Sequence, residues 1–412
     1  MNRIAVITSN YMPNPDANGI CVYNVMNELK KTVDDIVCIC NQQEGEEQQE
    51  TLDGVRIFRI PPARHMKAIM QYQKKSTWKN RLKMSVFLAA RRAKNLLNIW
   101  RYPRTEIQRE KVIFSLLEQM PEFDLIIAVF RPFDGIGAAI EYKKMHPKCQ
   151  VCGYFLDSLI DFVPQGISRK IYRTLVAKNE KRFFQKLDII LKPESDKGYY
   201  KDSGLDKTIN YVKFPVFVRP ECTECYKFGN NGLSLVFAGT LSSSFRSPAY
   251  LLNILQRLNR DGYNIKFHFF GTYDNPLELK HWQQEYKDCF AYHGSISFQR
   301  SRIVLANADI LVNISNKGLQ MVPSKVYELM AQGKPILHIS SNRDDVCEKC
   351  FGSYPLVCNI NSAERAMEKD IVRLKRFLDK QIKKDIDYEQ IYLENYTATP
   401  EYICKTILKE CQ

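Results

Sequence analysis

No apolar run in this 412-residue sequence approaches the roughly 18 residues that a membrane-spanning helix needs. The first strand-like run, IAVIT, turns polar at Thr8-Ser9-Asn10 instead of extending into a signal-peptide core. Both absences lead to the expectation of a cytoplasmic protein. Asp-x-Asp occurs strictly only at Asp385-Ile386-Asp387, in a charged C-terminal segment that reads as solvated surface and not as a Mg²⁺ ligand pair, so no metal or other cofactor is expected. The thirteen cysteines are odd in number and scattered through strand-like runs (Cys38, Cys40, Cys149, Cys152), which excludes a disulfide framework and fits free thiols. Two Cys-x-x-Cys pairs, Cys222/Cys225 and Cys347/Cys350, lie far apart in sequence and lack the glycine-rich knuckle of a four-cysteine zinc site. With 45% hydrophobic and 26% charged residues, intrinsic disorder is excluded as well.

What is present is alternation. Short apolar, β-branched runs recur with helical patterns between them: IAVIT (4–8), DIVCIC (35–40), VRIFRI (55–60), DLIIAVF (124–130), QVCGYF (150–155) and DIILK (188–192). This is the signature of βαβ units and a parallel sheet. The series stops at a proline-containing stretch around 214–225 and restarts with LSLVFAG (233–239), IKFHFFG (265–271), DILVNIS (309–315), KPILHIS (334–340) and YPLVCNI (354–360). We expect two Rossmann-like, doubly wound parallel-sheet domains, 1–220 and 221–395, with a terminal helix at 396–412.

The net charge of +14 is concentrated. Residues 63–111 hold fourteen Lys/Arg against Glu106 and Glu110, and Leu82, Val86, Ala89, Ala93, Leu96 and Trp100 recur there at helical spacing. A basic amphipathic helix of this kind has three readings: a solvated face over a core stripe, a nucleic-acid surface, or an element that rests on anionic lipid. On the lipid reading Arg91, Arg92, Lys94 and Trp100 are the membrane contacts.

In doubly wound sheets ligands bind at the carboxyl ends of the strands, which directs attention to the loops after the first strand of each half. Neither carries Gly-x-Gly-x-x-Gly. The first, SNYMPNPDANGICVYNVMNEL, offers Asp16, Asn18 and Gly19; the second, GTLSSSFRSP, offers Gly239, Thr240 and Arg246, with small hydroxyl residues and a guanidinium that suit phosphate. VPSKVYELMAQGKPILHIS, residues 322–340, reads as a helix of two to three turns capped by Ser324 and stopped by Gly333-Lys334-Pro335. Val326, Leu329 and Met330 are expected in the core. Lys325 and Glu328 then share another face, either as a plain ion pair or as a site in which lysine and helix N-terminus hold phosphate while glutamate accepts from sugar hydroxyls.

In the order and spacing of four motifs the whole chain resembles a GT-B glycosyltransferase of the large retaining family 4 type, whose two domains face each other across a cleft. YMPNPDANGICVYNVMNEL resembles that family's N-terminal glycine loop, VFAGTLSSSFRSPAYLLNIL its phosphate loop, HGSISFQRSRIVLANADILVNIS the segment before the donor helix, and VPSKVYELMAQGKPIL the donor helix. The resemblance implies that Glu328 binds donor ribose hydroxyls as the second glutamate of a Glu-x₇-Glu pattern. Ser324 and Lys325 match the Pro-Ser-Lys variant of polysaccharide-assembly enzymes. Gln320 stands at the first glutamate position, and Thr240 with the displaced Arg246 replaces the usual Arg and Lys. Asp157, in GYFLDSLIDF, matches an acceptor-side aspartate, while Phe130-Arg131-Pro132 stands where family histidines are often found.

Together these readings, with retention implied by the resemblance, predict a retaining, metal-independent glycosyltransferase, peripheral on the inner face of the cell membrane. It would take a nucleotide diphosphate-sugar donor and a glycan or polyprenyl-linked glycan acceptor, with Arg246 and Lys325 stabilising the leaving diphosphate. The alternatives are a nucleotide-sugar epimerase of the same fold and, from another class, a basic nucleic-acid-binding protein.

Overall fold

The computed structural model describes residues 2–411 except 63–77, 80–81, 83–84, 87, 91–92, 94–102, 105, 159–162, 164–167, 198–206, 318–323, 353, 365 and 383–385. The chain forms two compact units, Met1–Pro215 together with Pro400–Gln412, and Val216–Thr399.

The first unit contains β1 (Arg3–Ile7), β2 (Asp35–Asn41), β3 (Gln49–Leu52), β4 (Val55–Ile60), β5 (Leu125–Phe130), β6 (Gln150–Phe155), β7 (Ile189–Pro193) and β8 (Asn210–Val212). They form one sheet in the order β3-β4-β2-β1-β5-β6-β7-β8. All pairs are parallel except β3 on β4, an antiparallel hairpin closed by Asp53-Gly54 with φ of 50° and 80°. Every residue of β5, LIIAVF, is buried because helices cover both faces of a parallel sheet. The core joins Val37, Ile39, Ile126, Ala128 and Val151 from strands to Ile113, Leu117, Ile136 and Ile140 from the helices Ile107–Glu118 and Asp134–Met145. The C-terminal helix Pro400–Glu410 packs on the first helix, Ala17–Leu29, where Cys404 Sγ reaches the Val25 carbonyl at 3.4 Å.

The second unit is a six-stranded, all-parallel sheet of β9 (Leu233–Leu241), β10 (Ile265–Tyr273), β11 (Phe290–Gly294), β12 (Ile310–Ile314), β13 (Ile336–Ser340) and β14 (Val357–Asn361), ordered β11-β10-β9-β12-β13-β14. Helix Ala249–Arg260 presents Leu251, Leu252, Ile254, Leu255 and Leu258 at helical spacing, all buried against this sheet. At about 1.5–3 kcal/mol per buried aliphatic side chain, that face alone is enough to dock the helix. The glycines ending β9 and β10 are paired, Gly239 (φ 154°) opposite Gly271 (φ 149°), and a Cβ on Gly271 would sit 1.7 Å from the Gly239 carbonyl oxygen.

In both sheets the strand order reverses next to the first strand: between β1 and β5 in one, between β9 and β12 in the other. That reversal parts the flanking loops and leaves a crevice at the carboxyl ends of the strands. In the basic segment, the described positions 78–79, 82, 85–86, 88–90 and 93 are helical. Their apolar members do not form a core stripe: Leu82 and Val86 are 59% and 63% exposed. Arg91, Arg92, Lys94 and Trp100 lie outside the described residues.

Candidate functional site

In the second unit the loop after β9 folds onto the loop after β12. Ser242 and Arg246 exchange backbone hydrogen bonds at 3.0 and 2.9 Å, closing a tight three-residue excursion, and Lys317 N–H donates to the Phe245 carbonyl at 2.8 Å. Asp274, after β10, accepts from Ser242 Oγ at 2.5 Å and from Ser243 N–H at 2.8 Å. These bonds hold its carboxyl below the usual carboxylate range.

This frame sets Arg246. Its Nε donates to Asn316 Oδ1 at 2.9 Å and its Nη1 to the Thr240 carbonyl at 3.3 Å, so both of its partners are neutral. Among the described residues no carboxylate pairs with it. The side chain is half-buried, and that burial lowers its pKa from the ordinary arginine value. Gly239 and Thr240 are exposed at the end of β9, and Thr272 Oγ1 donates to Thr240 Oγ1 at 3.2 Å. Asn316 was not anticipated; its signal was the polar SNKG run directly after β12, at the strand-order reversal.

The helix expected to have two to three turns is shorter, Lys325–Met330. Val326, Leu329 and Met330 are buried as expected, and Gly333 takes the left-handed conformation (φ 64°). Ser324 precedes the helix but makes no capping hydrogen bond, because its own backbone is already helical (φ −51°, ψ −31°) and a capping hydroxyl requires the extended region. Lys325 and Glu328 form an ion pair at 3.1 Å and are half-buried, not an exposed surface pair. Gln320 lies outside the described residues, as does Asp385.

In the first unit the loop after β1 is closed by its own polar groups. Asp16 accepts from Ser9 Oγ at 2.7 Å, Asn10 Nδ2 at 2.9 Å and Gly19 N–H at 2.8 Å, which makes it the N-cap of helix Ala17–Leu29. A Cβ on Gly19 would stand 2.3 Å from the Asn10 carbonyl oxygen, so glycine is the residue this packing accepts. Buried Arg59 ties the loop down through the Met12 carbonyl at 2.7 Å and Glu46 at 3.1 Å. Asp157 follows β6 and is half-buried; desolvation raises its pKa, while a hydrogen bond from Asn18 and the charge of Arg131 oppose the rise. The structure thus brings Asp157, Asn18 and Asp16 together, and adds Arg131 from the end of β5.

Among the described residues, the Cys-x-x-Cys pairs do not assemble: Cys225 is exposed and Cys222 half-exposed, whereas Cys347 is buried beside His338 and Asp345.

Residues 232–374 match the family model described as Glycosyl transferases group 1. No curated protein matches the chain. Solved structures similar along its whole length include the trehalose-6-phosphate protein from E. coli bound with UDP-2-fluoro glucose, at 9% identity and TM-score 0.59, covering 100% of this chain and 99% of that one. Sucrose-phosphate synthase from Thermosynechococcus elongatus aligns at 11% identity and TM-score 0.56, with 99% and 98% covered. The lipopolysaccharide outer core galactosyltransferase WaaB in its apo form aligns at 12% identity and TM-score 0.52, with 100% and 99% covered. The fold is therefore GT-B, and the family match with these neighbours supports a GT-B glycosyltransferase.

Proposed function

We propose that this chain transfers a sugar, with retention of configuration, from a nucleotide diphosphate-sugar to a glycan or polyprenyl-linked glycan at an anionic membrane surface, as a step of surface or capsular polysaccharide assembly. The observation that carries the donor assignment is Arg246, a half-buried cation whose two acceptors are both neutral, at the strand-order reversal of the second unit. Such a cation stabilises charge that develops on a leaving diphosphate when the glycosidic bond breaks. Lys325 supplies the second positive charge and Glu328, already oriented by it, accepts from ribose hydroxyls. Ser324, with no capping duty, is free to donate to a phosphate oxygen. Neutralisation by these side chains requires no divalent ion bridging the phosphates.

Asp157, held by Asn18 in the first unit, serves the acceptor side. The exposed apolar residues Trp78, Leu82, Val86 and Leu88, in a segment rich in Lys and Arg, favour the lipid-surface reading of the basic helix over the core reading. That surface is where a lipid-linked acceptor would be met.

The test is a thermal-shift screen of UDP, GDP, ADP and their sugars, followed by transfer assays with those that bind. At about a hundredfold excess over Kd a ligand adds about 2.7 kcal/mol of stability, which reads as a rise of several degrees in Tm. Stabilisation by at least one nucleoside diphosphate, and no stimulation of transfer by added Mg²⁺ or Mn²⁺, is expected. Absence of any nucleotide effect together with tight, salt-sensitive binding of DNA or RNA would overturn the reading in favour of a nucleic-acid-binding protein.

A further inference from the structure

We propose that His338, Asp345 and Cys347 form a three-ligand zinc site in the second unit. The cluster is close enough to Arg246 for the Cys347 charge to act on it. His338 lies on β13, and Asp345 and Cys347 open helix Val346–Phe351 at the carboxyl end of that strand. All three are buried, and one ligand atom from each lies within 4.8 Å of the others.

Two features distinguish this cluster from an ordinary polar knot. His338 is fully buried, yet its Nε2 makes no hydrogen bond; the nearest carboxylate oxygen, Asp345 Oδ2, is 3.7 Å away. That separation is too long for a hydrogen bond but close to the ligand-to-ligand edge, about 3.4–3.6 Å, of a tetrahedral zinc site with bonds of about 2.0–2.3 Å. The second feature is the support around the ligands. Asn313 Nδ2 lies 2.9 Å from His338 Nδ1; with the amide turned so that its oxygen accepts from an Nδ1–H, the Nε2 lone pair would be aimed into the cluster. Asp345 is fixed by Ser340 Oγ at 2.7 Å and by Cys347 N–H at 2.7 Å.

Thiolate, imidazole and carboxylate together select zinc over Mg²⁺ or Ca²⁺, which favour all-oxygen sites. Cys347 would bind as the thiolate, its proton leaving to solvent, and one water completes the tetrahedron. The metal would pin the start of helix Val346–Phe351 to β13. The loop between them, 341–345, donates Asn342 Nδ2 to the Asn316 carbonyl at 2.9 Å, so the site braces the segment that holds Arg246.

The experiment uses the full chain with the exposed pair removed (Cys222→Ser/Cys225→Ser), purified without chelators and reconstituted with zinc. Near-stoichiometric zinc is expected. Cobalt exchange should give a thiolate-to-cobalt charge-transfer band with tetrahedral d–d absorption. Cys347→Ser and His338→Gln should each weaken zinc binding at least about tenfold, while Cys350→Ser leaves it unchanged. If either ligand variant fails to fold, the cobalt spectrum of the parent decides. No stoichiometric zinc, no thiolate band, or equal affinity in the folded ligand variants overturns the site.

Discussion

Replacing Arg246 by glutamine keeps a polar side chain of similar reach and removes the charge. A guanidinium has five N–H donors, and two of Arg246's are engaged by Asn316 and the Thr240 carbonyl, which leaves three for a ligand. A charge-assisted hydrogen bond contributes about 1.5–3 kcal/mol net, so a diphosphate should bind Arg246→Gln about 10- to 150-fold more weakly. The nucleoside alone, with no phosphate, should change by less than about threefold. Calorimetric titration of the best-binding nucleoside diphosphate and its nucleoside separates these outcomes. A second readout is the stability of the free protein. Because Arg246 is a half-buried cation without a paired carboxylate among the described residues, neutralising it should not lower Tm, as a structural arginine would. Equal weakening of nucleoside and diphosphate, or a clear fall in Tm of the ligand-free variant, would refute the assignment and make Arg246 a structural brace of the two loops.

Lys325→Ala and Glu328→Ala should each lower transfer at least about tenfold with an unchanged circular dichroism spectrum, since an i,i+3 pair on a helix contributes only about 0.2–0.5 kcal/mol; near wild-type turnover in both would remove them from the site. Burial raises the Asp157 pKa, so its proton is held to higher pH than in the unfolded chain. If the carboxylate is the working form, the acidic limb of the rate profile lies above the ordinary carboxylate range and disappears in Asp157→Asn, whereas an unaltered limb refutes this; as pH rises through the shifted pKa, Asp157 also withdraws stability that is fully present below the unfolded value. Gly271→Ala should cost more than about 3 kcal/mol in urea unfolding, because its Cβ would meet the Gly239 carbonyl at 1.7 Å on a backbone with φ of 149°; a loss under about 1 kcal/mol would contradict the close pairing of β9 and β10. Leu82→Asp with Val86→Asp should reduce co-sedimentation with anionic vesicles at least tenfold while leaving Tm unchanged, since both side chains are exposed; a large drop in Tm would show that they pack inside the protein.

Much of this architecture was legible because a parallel sheet buried on both faces writes itself as continuous apolar runs. The eleven runs read from sequence became strands, with ends shifted by a few residues at most. Among the described residues, three other strands were not read. β3 is half-exposed and polar, and its signal was the Asp53-Gly54 turn between QETL and VRIFRI rather than hydrophobicity. β8 and β11 lie at sheet edges, where burial on one side demands less of the sequence. Site residues divide in the same way. Arg246 was visible from its loop, but Asn316, 70 residues later, is joined to it only by the strand-order reversal, which no local pattern encodes. The Ser324 expectation failed because a serine before a helix is a capping signal only if its backbone is extended, and ψ cannot be read from residue type.

The two units share a sheet order around their first strands, so the proposed assignment of the diphosphate to the second unit rests on charge and not on fold alone. In the first unit the charge of Arg131, directly after β5, acts on the Asp157 carboxyl, and the Asp16 carboxylate is occupied by three donors from its own loop. Phosphate arriving there would meet carboxylates already in place. In the second unit the corresponding loops supply a guanidinium held by neutral oxygens, and the nearby acid, Asp274, is occupied by Ser242 and Ser243. Desolvating a cation without a counter-ion is unfavourable in the free protein and becomes favourable when an anion binds, so that cost is recovered only in the complex. An arginine kept in that condition is evidence of an anionic ligand. Exchanging the pattern, by Asn316→Asp, should supply the missing carboxylate, raise the stability of the free protein and weaken diphosphate binding more than Asn316→Ala does. If Asn316→Asp binds diphosphate as well as the wild type, the electrostatic account of the site is wrong.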